Sequence, residues 1–242
     1  MPNKDSLSSG FVGEDIPSQE SMFSNISEFY RSESGYSCLH LCRRYGKLHI
    51  LKSLQPLFKQ EEFYKQLLHK EFNIGYQLDH PNIRHTIDWE QQEDLGLCIV
   101  MEYVDGISLK EFMIQGKLTQ PLAYKFIREL CEALHYIHSK QLVHKDLKPE
   151  NIIITHNGNN VKLIDFGLSD RDDYDTLKIP AGTKKYLAPE QLLPHASLDC
   201  RTDIYSLGVI IQDITSVIKD RRLVRIAQKC TQKNPDKRFH SA

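Results

Sequence analysis

Residues Val143-His144-Lys145-Asp146-Leu147-Lys148-Pro149-Glu150-Asn151 put a carboxylate, an ammonium and a carboxamide within one short loop. A strand-like run, Asn160-Val161-Lys162-Leu163-Ile164, then leads into Asp165-Phe166-Gly167 and a second carboxylate. This set of groups suits the transfer of a phosphoryl group from a nucleotide held by Mg²⁺. The protein does little covalent chemistry in such a transfer, so positioning and charge stabilisation carry the catalysis. Asp146 could accept the proton of an attacking hydroxyl, while Asn151 and Asp165 offer hard oxygen ligands to the metal. A charged surface turn before a strand is the alternative, and it would not require these fixed positions together with a correctly placed second motif.

Other elements must position this loop. Residues 1–24 are rich in Ser, Asn, Asp, Glu, Pro and Gly, a composition that predicts disorder. Tyr36 to Leu41 and Leu48 to Lys52 read as strands joined through Arg43–Lys47. From about Lys59 to Gly75 the spacing turns helical, with Phe63, Leu67 and Phe72 among charged residues. Ile87 to Trp89 and Leu97 to Met101 read as paired strands. Beyond Asp105-Gly106 the pattern is mostly helical, and Ala123, Phe126, Ile127, Leu130, Ala133, Leu134 and Ile137 form one apolar stripe. Glu71 lies four and eight residues from Leu67 and Phe63, which puts a carboxylate on the apolar face of its helix. Such a group needs a partner, and Lys52, closing the strand Leu48-His49-Ile50-Leu51, is the natural one.

From about Ser32 to its end, the chain resembles the eukaryotic-type protein kinases. Lys148 followed by Pro149-Glu150 resembles the serine/threonine branch. The resemblance implies an α+β, bilobal fold: a small antiparallel-sheet lobe with one main helix (residues 25–104, hinge included) and a larger, mostly helical lobe (105–242). It implies ATP and Mg²⁺ as cofactors, a protein as phosphate acceptor, Asp146 as base, and Asn151 and Asp165 as metal ligands. Lys148 would neutralise charge on the transferring phosphate. Lys52 resembles the lysine that grips the α- and β-phosphates, paired with Glu71. Met101-Glu102-Tyr103-Val104 resembles the hinge, with the Glu102 carbonyl and the Val104 amide and carbonyl facing adenine and Met101 controlling a back pocket. Leu39 and Ile50 would form the roof and Ile153 the floor of that nucleotide site. Gly182-Thr183 and Ala188-Pro189-Glu190 resemble the end of an activation segment, with Glu190 pairing to Arg238. Asp203 would steady the catalytic loop, or serve as an ordinary helix N-cap. His144 and Phe166 read as packing residues.

Four departures from the family pattern stand out. Ser32, Ser34 and Ser37 fall where three loop glycines belong, with only Gly35 nearby, which costs conformational freedom and room for phosphate. Ile50 replaces a small roof residue. Lys145 stands where an arginine is usual and lacks its planar fork. Between Ile214 and Leu223 little remains of a helix that docks substrates, and the chain stops at Ser241-Ala242, short of a final helix.

Length and composition fit one soluble globular domain of two lobes, or two small domains: 242 residues, 40% hydrophobic and 26% charged. With 32 acidic against 31 basic residues, bulk charge argues for neither nucleic-acid nor membrane partners. No signal peptide and no apolar run near the ~18 residues that span a bilayer can be seen. The six cysteines lack a disulfide rhythm and read as reduced thiols of a cytoplasmic protein. Cys38, His40 and Cys42 would share one strand face, yet no fourth metal ligand lies nearby in sequence.

An active serine/threonine kinase is the leading reading. A pseudokinase acting as a nucleotide-sensitive binding module competes with it, on the serine-substituted loop and Ile50. A small-molecule phosphotransferase of the same fold is disfavoured by Gly182-Thr183 and Ala188-Pro189-Glu190. Ser169, Tyr174, Thr176, Thr183 and Tyr186 are candidate phosphorylation sites, with Tyr174 or Thr176 the favoured switch. The oligomeric state, the substrate and any domains beyond Ala242 are left open.

Overall fold

A computed structural model describes residues 23–32, 35–168, 183–194 and 196–242. The upper half is a five-stranded antiparallel sheet in the order β1-β2-β3-β5-β4. Its strands are β1 (Phe23–Arg31), β2 (Ser37–Arg44), β3 (Lys47–Leu54), β4 (Thr86–Gln92) and β5 (Gly96–Glu102). Helix α1 (Glu62–Tyr76) packs against β3, β4 and β5. β2 and β3 run longer than the sequence suggested, because only Tyr45 and Gly46 turn between them. Both have positive φ, +50° and +77°, the backbone that a tight hairpin needs.

The lower half is mostly helical: α2 (Leu109–Ile114), α3 (Gln120–Ser139), α4 (Cys200–Ile218) and α5 (Arg221–Cys230). A small sheet of β6 (Gly106–Ser108), β7 (Ile152–Thr155) and β8 (Val161–Leu163) lies at the boundary between the halves, and Ile83 bridges to Leu163. The fold is α+β. The predicted stripe of α3 is its buried face, except that Ile127 is only partly covered. α4 is buried nearly all round, through Ile204, Leu207, Val209, Ile210, Ile211 and Ile214, and forms the axis of the lower core. Lys219, in the left-handed conformation, ends α4, and Asp220 caps α5 directly. That splice accounts for the shortness seen between Ile214 and Leu223.

Two expectations need correction. Phe23 and Ser24, assigned to a disordered segment, open strand β1; residues 1–22 lie outside the described residues. β1 escaped notice because all its residues but Phe23 are exposed, so no inward–outward alternation marks it. On α1 the buried positions are Leu68, Glu71 and Gly75, whereas Phe63 is 51% exposed. Glu71 does face the core, but in phase with Leu68 rather than with Phe63.

Candidate active site

β3 and α1 bring the first pair together. Lys52 Nζ lies 2.6 Å from Glu71 Oε1, with both side chains buried, and 3.2 Å from Asp165 Oδ1. Burial alone would push the Lys52 ammonium down, but Asp165 and Glu71 outweigh it and hold it charged, above its ordinary range. For Asp165, burial works upward and is outweighed by Lys52 and Arg84, so its carboxyl stays below the usual range.

The loop after α3 carries the second cluster. Asp146 Oδ2 accepts from Lys148 Nζ at 2.7 Å and from Asn151 Nδ2 at 2.9 Å, while Oδ1 is buried with no partner. Burial pushes the Asp146 carboxyl up, against the pull of Lys148. Asn151 also donates to the Asp146 carbonyl at 2.9 Å. The Ile164 amide donates to the Asn151 carbonyl at 3.0 Å, which sets Asp165 beside this loop. Lys145 and Asp165 both adopt left-handed backbone, φ +65° and +66°, a conformation that costs non-glycine residues energy and clusters at functional sites.

Asp203 holds that loop in place. Fully buried on α4, it accepts from the amides of His144 (2.8 Å) and Lys145 (2.9 Å) and contacts His138 Nε2 at 2.8 Å. The N-cap of α4 is Asp199, which accepts from the Arg201 amide, so the alternative role for Asp203 falls away. His144 packs its ring 5.1 Å from that of Phe166, and Glu190 pairs with Arg238 at 2.5 and 2.8 Å. Gln191 donates to the Lys145 carbonyl at 2.9 Å, tying the Ala188-Pro189-Glu190 segment to the same loop.

The remaining predicted residues lie on the sheets and on the connection between the halves. Leu39 and Ile50 lie on β2 and β3, and Ile50 is opposite Met101 on β5. Glu102 ends β5, where its side chain pairs with Lys162 at 3.1 Å. Val104, in the connection to β6, is half-buried, as is Ile153 on β7. Of the loop serines, Ser34 lies outside the described residues; Ser32 accepts from the Gly35 amide at 2.9 Å, and Ser37 begins β2. Ser169, Tyr174, Thr176, Gly182 and the Thr183 side chain also lie outside. Tyr186 donates to Asp213 at 2.8 Å and is half-buried, which makes it a poor acceptor of modification.

Two residues escaped the sequence reading. Gln55 Nε2 donates to the carbonyls of Ser32 (2.7 Å), Gly35 (3.0 Å) and Ser37 (3.3 Å), so one buried amide ties the end of β1 to the start of β2. Arg84 is 9% exposed and lines a cavity of about 10 Å³ with Glu71, Gly75, Thr86, Met101, Asp165 and Phe166, room for about one water. Burial pulls its guanidinium below the ordinary range, and Asp165, Glu71 and Glu102 offset only part of that. Glu71 Oε2 is itself buried without a partner. The only sequence signal was an arginine directly after the apolar Ile83.

The arrangement, two lobes with an ammonium–carboxylate pair above and a polar loop below, matches a known domain. The family model described as "Protein kinase domain" covers residues 33–220. This chain belongs to the protein kinase family. The kinase domain is 33% identical over 182 residues to a probable serine/threonine-protein kinase of Clostridium perfringens, covering 73% of this chain and 26% of that protein. It is 32% identical over 168 residues to serine/threonine-protein kinase PrkC of Bacillus subtilis, covering 68% and 26%. It thus spans about a quarter of the length of these curated relatives. The kinase domain of PknI from Mycobacterium tuberculosis superposes with a TM-score of 0.65 at 23% identity, over 90% of this chain and 92% of that one. That likeness concerns the fold.

Proposed function

We propose that this chain is a serine/threonine protein kinase domain that transfers the γ-phosphoryl group of ATP to a protein hydroxyl. The observation that carries the reading is Asp146: one carboxylate oxygen is held by Lys148 and Asn151, and the other is buried and unmatched. An unmet buried acceptor costs about 1–3 kcal/mol, and an incoming hydroxyl would meet it. Asp146 Oδ1 then takes the proton as the hydroxyl oxygen attacks. Lys148, 19% exposed beside it, can turn towards the transferring phosphate.

The residues present fit Mg²⁺ and ATP. Among the described residues nothing hydrogen-bonds Asn151 Oδ1, and Asp165 is held ionised, so two hard oxygens stand on adjacent segments. Bound there, the ion would neutralise phosphate charge. Lys52 would exchange its Asp165 contact for the α- and β-phosphates while keeping Glu71. The Glu102 carbonyl and the Val104 amide and carbonyl would orient adenine between Leu39, Ile50 and Ile153. In this reading the lobes divide between Val104 and Asp105. Free cysteines support a cytoplasmic setting, and membership of the kinase family supports a protein acceptor. Among the described residues no helix is long and apolar enough to cross a membrane.

The test is transfer of labelled phosphate from ATP to the chain itself or to a generic protein, with Asp146→Asn alongside. Loss of the base lowers the rate by about 10²–10⁴-fold. Equal incorporation by the two forms would overturn the proposal.

A further inference from the structure

Cys38 and His40 leave the same face of β2, a spacing that any half-buried strand shows. β1 changes the count of ligands. Glu28 is opposite His40 in the β1–β2 pairing, and one ligand atom from each of Glu28, Cys38 and His40 lies within 4.8 Å of the other two. His40 Nε2 is 3.7 Å from Glu28 Oε2. The imidazole is 5% exposed, and its Nδ1 is buried without a hydrogen bond. The Cys38 thiol, 3% exposed, has Ser53 Oγ at 3.3 Å and the carbonyls of Ser53 and Leu54 at 3.9 and 3.8 Å.

We propose that Glu28, Cys38 and His40 bind a borderline-soft divalent cation, and that their carboxylate, thiolate and imidazole donors select zinc. Binding makes a sulfur–metal bond and releases the Cys38 thiol proton to solvent. The imidazole binds through a ring nitrogen in its neutral form. Three protein ligands leave a fourth tetrahedral position to water. The competitor for Glu28 is Arg31, which donates to its two oxygens at 2.8 and 2.7 Å. Arg31 is 54% exposed, and exposed pairs of this kind contribute little, so a metal displaces it readily.

The position gives the site a consequence for the sheet. Arg31 pairs with Cys38, and the tie that Gln55 makes lies just beyond them. A cation joining β1 to β2 therefore braces the two strand ends that Gln55 ties together. Because it binds the folded strands and not the unfolded chain, it also raises the melting temperature, and the rise grows with the logarithm of free cation once the site is filled.

The experiment is a cobalt and zinc titration of the chelator-stripped chain, followed by absorption and by thermal melting. Cobalt should produce a near-ultraviolet thiolate-to-metal charge-transfer band that zinc abolishes, and zinc should raise Tm. Glu28→Gln, an exposed change that leaves the sheet intact, should weaken cobalt binding by at least about tenfold, since even outer-shell partners of metal ligands cost 10–100-fold. Cys38→Ser should remove the band, and Cys42→Ser should leave it unchanged. If Cys38→Ser does not fold, Glu28→Gln decides. No band in the unaltered chain, or equal cobalt affinity in Glu28→Gln, overturns the site. Neither readout depends on phosphate transfer.

Discussion

Asn151 holds Asp146 from two sides, donating one amide to its carbonyl and to its Oδ2, each at 2.9 Å. With Lys148 on the same Oδ2, one carboxylate oxygen is fully occupied and the other left bare.

Asp146 is therefore kept at a cost to the fold. Burial raises its folded pKa, so the ionised form is disfavoured in the folded state; that penalty is present above the ordinary carboxyl pKa and fades as pH falls. Asp146→Asn should raise Tm at neutral pH while lowering turnover, and the gain should shrink towards acid pH. Melting curves across pH check it; an unchanged or lowered Tm at neutral pH refutes the argument.

Arg84 balances a buried cluster in which Lys52 and Arg84 face Glu71 and Asp165. Arg84→Met leaves one excess negative charge, so it should destabilise at neutral pH, with the penalty shrinking as acid lets Glu71 take up a proton. Adding Glu71→Gln restores the balance and should recover part of the loss. A double-mutant cycle should give a coupling of about 0.5–3 kcal/mol; additive effects would show the two groups to be independent.

Arg238 is 2% exposed and donates to Glu190 as well as to the carbonyls of Arg201 (2.8 Å), Gln232 (2.8 Å) and Lys233 (3.2 Å). Arg238→Met strands a largely buried carboxylate and should cost about 3–5 kcal/mol. Urea unfolding should show a lower midpoint at unchanged slope. A midpoint shift worth under 1 kcal/mol would mean that Glu190 is solvated.

Burial pushes four thiols up from an ordinary value of 9.0: Cys42, Cys131 and Cys230 to about 11 and Cys98 to about 12. Each holds its proton more tightly when folded, so stability is full below pH 9.0 and declines as pH rises towards 11–12. At pH 8 these thiols should resist alkylation until denaturant is added, as peptide mass spectrometry would report.

What the sequence disclosed depended on distance along the chain. Asp146, Lys148 and Asn151 share one loop, so their convergence was visible in residue order. Lys52 and Glu71 were legible through energetics, since a core-facing carboxylate demands a cation, and this survived an apolar stripe placed one residue out of phase. β1 was illegible because its exposed edge carries no alternation. Arg84 and Gln55 were illegible because a single polar residue acquires meaning only from neighbours brought in by folding. Glu28 belongs with them: without β1 it had no place beside His40.

Asp203 ties the backbone of His144 and Lys145 to the helix around which the lower core is built. Unfolding of that helix would release these two amides and the loop with them. The backbone position of this loop is therefore no more stable than the packing of the helix that holds it, whatever side chains the loop carries.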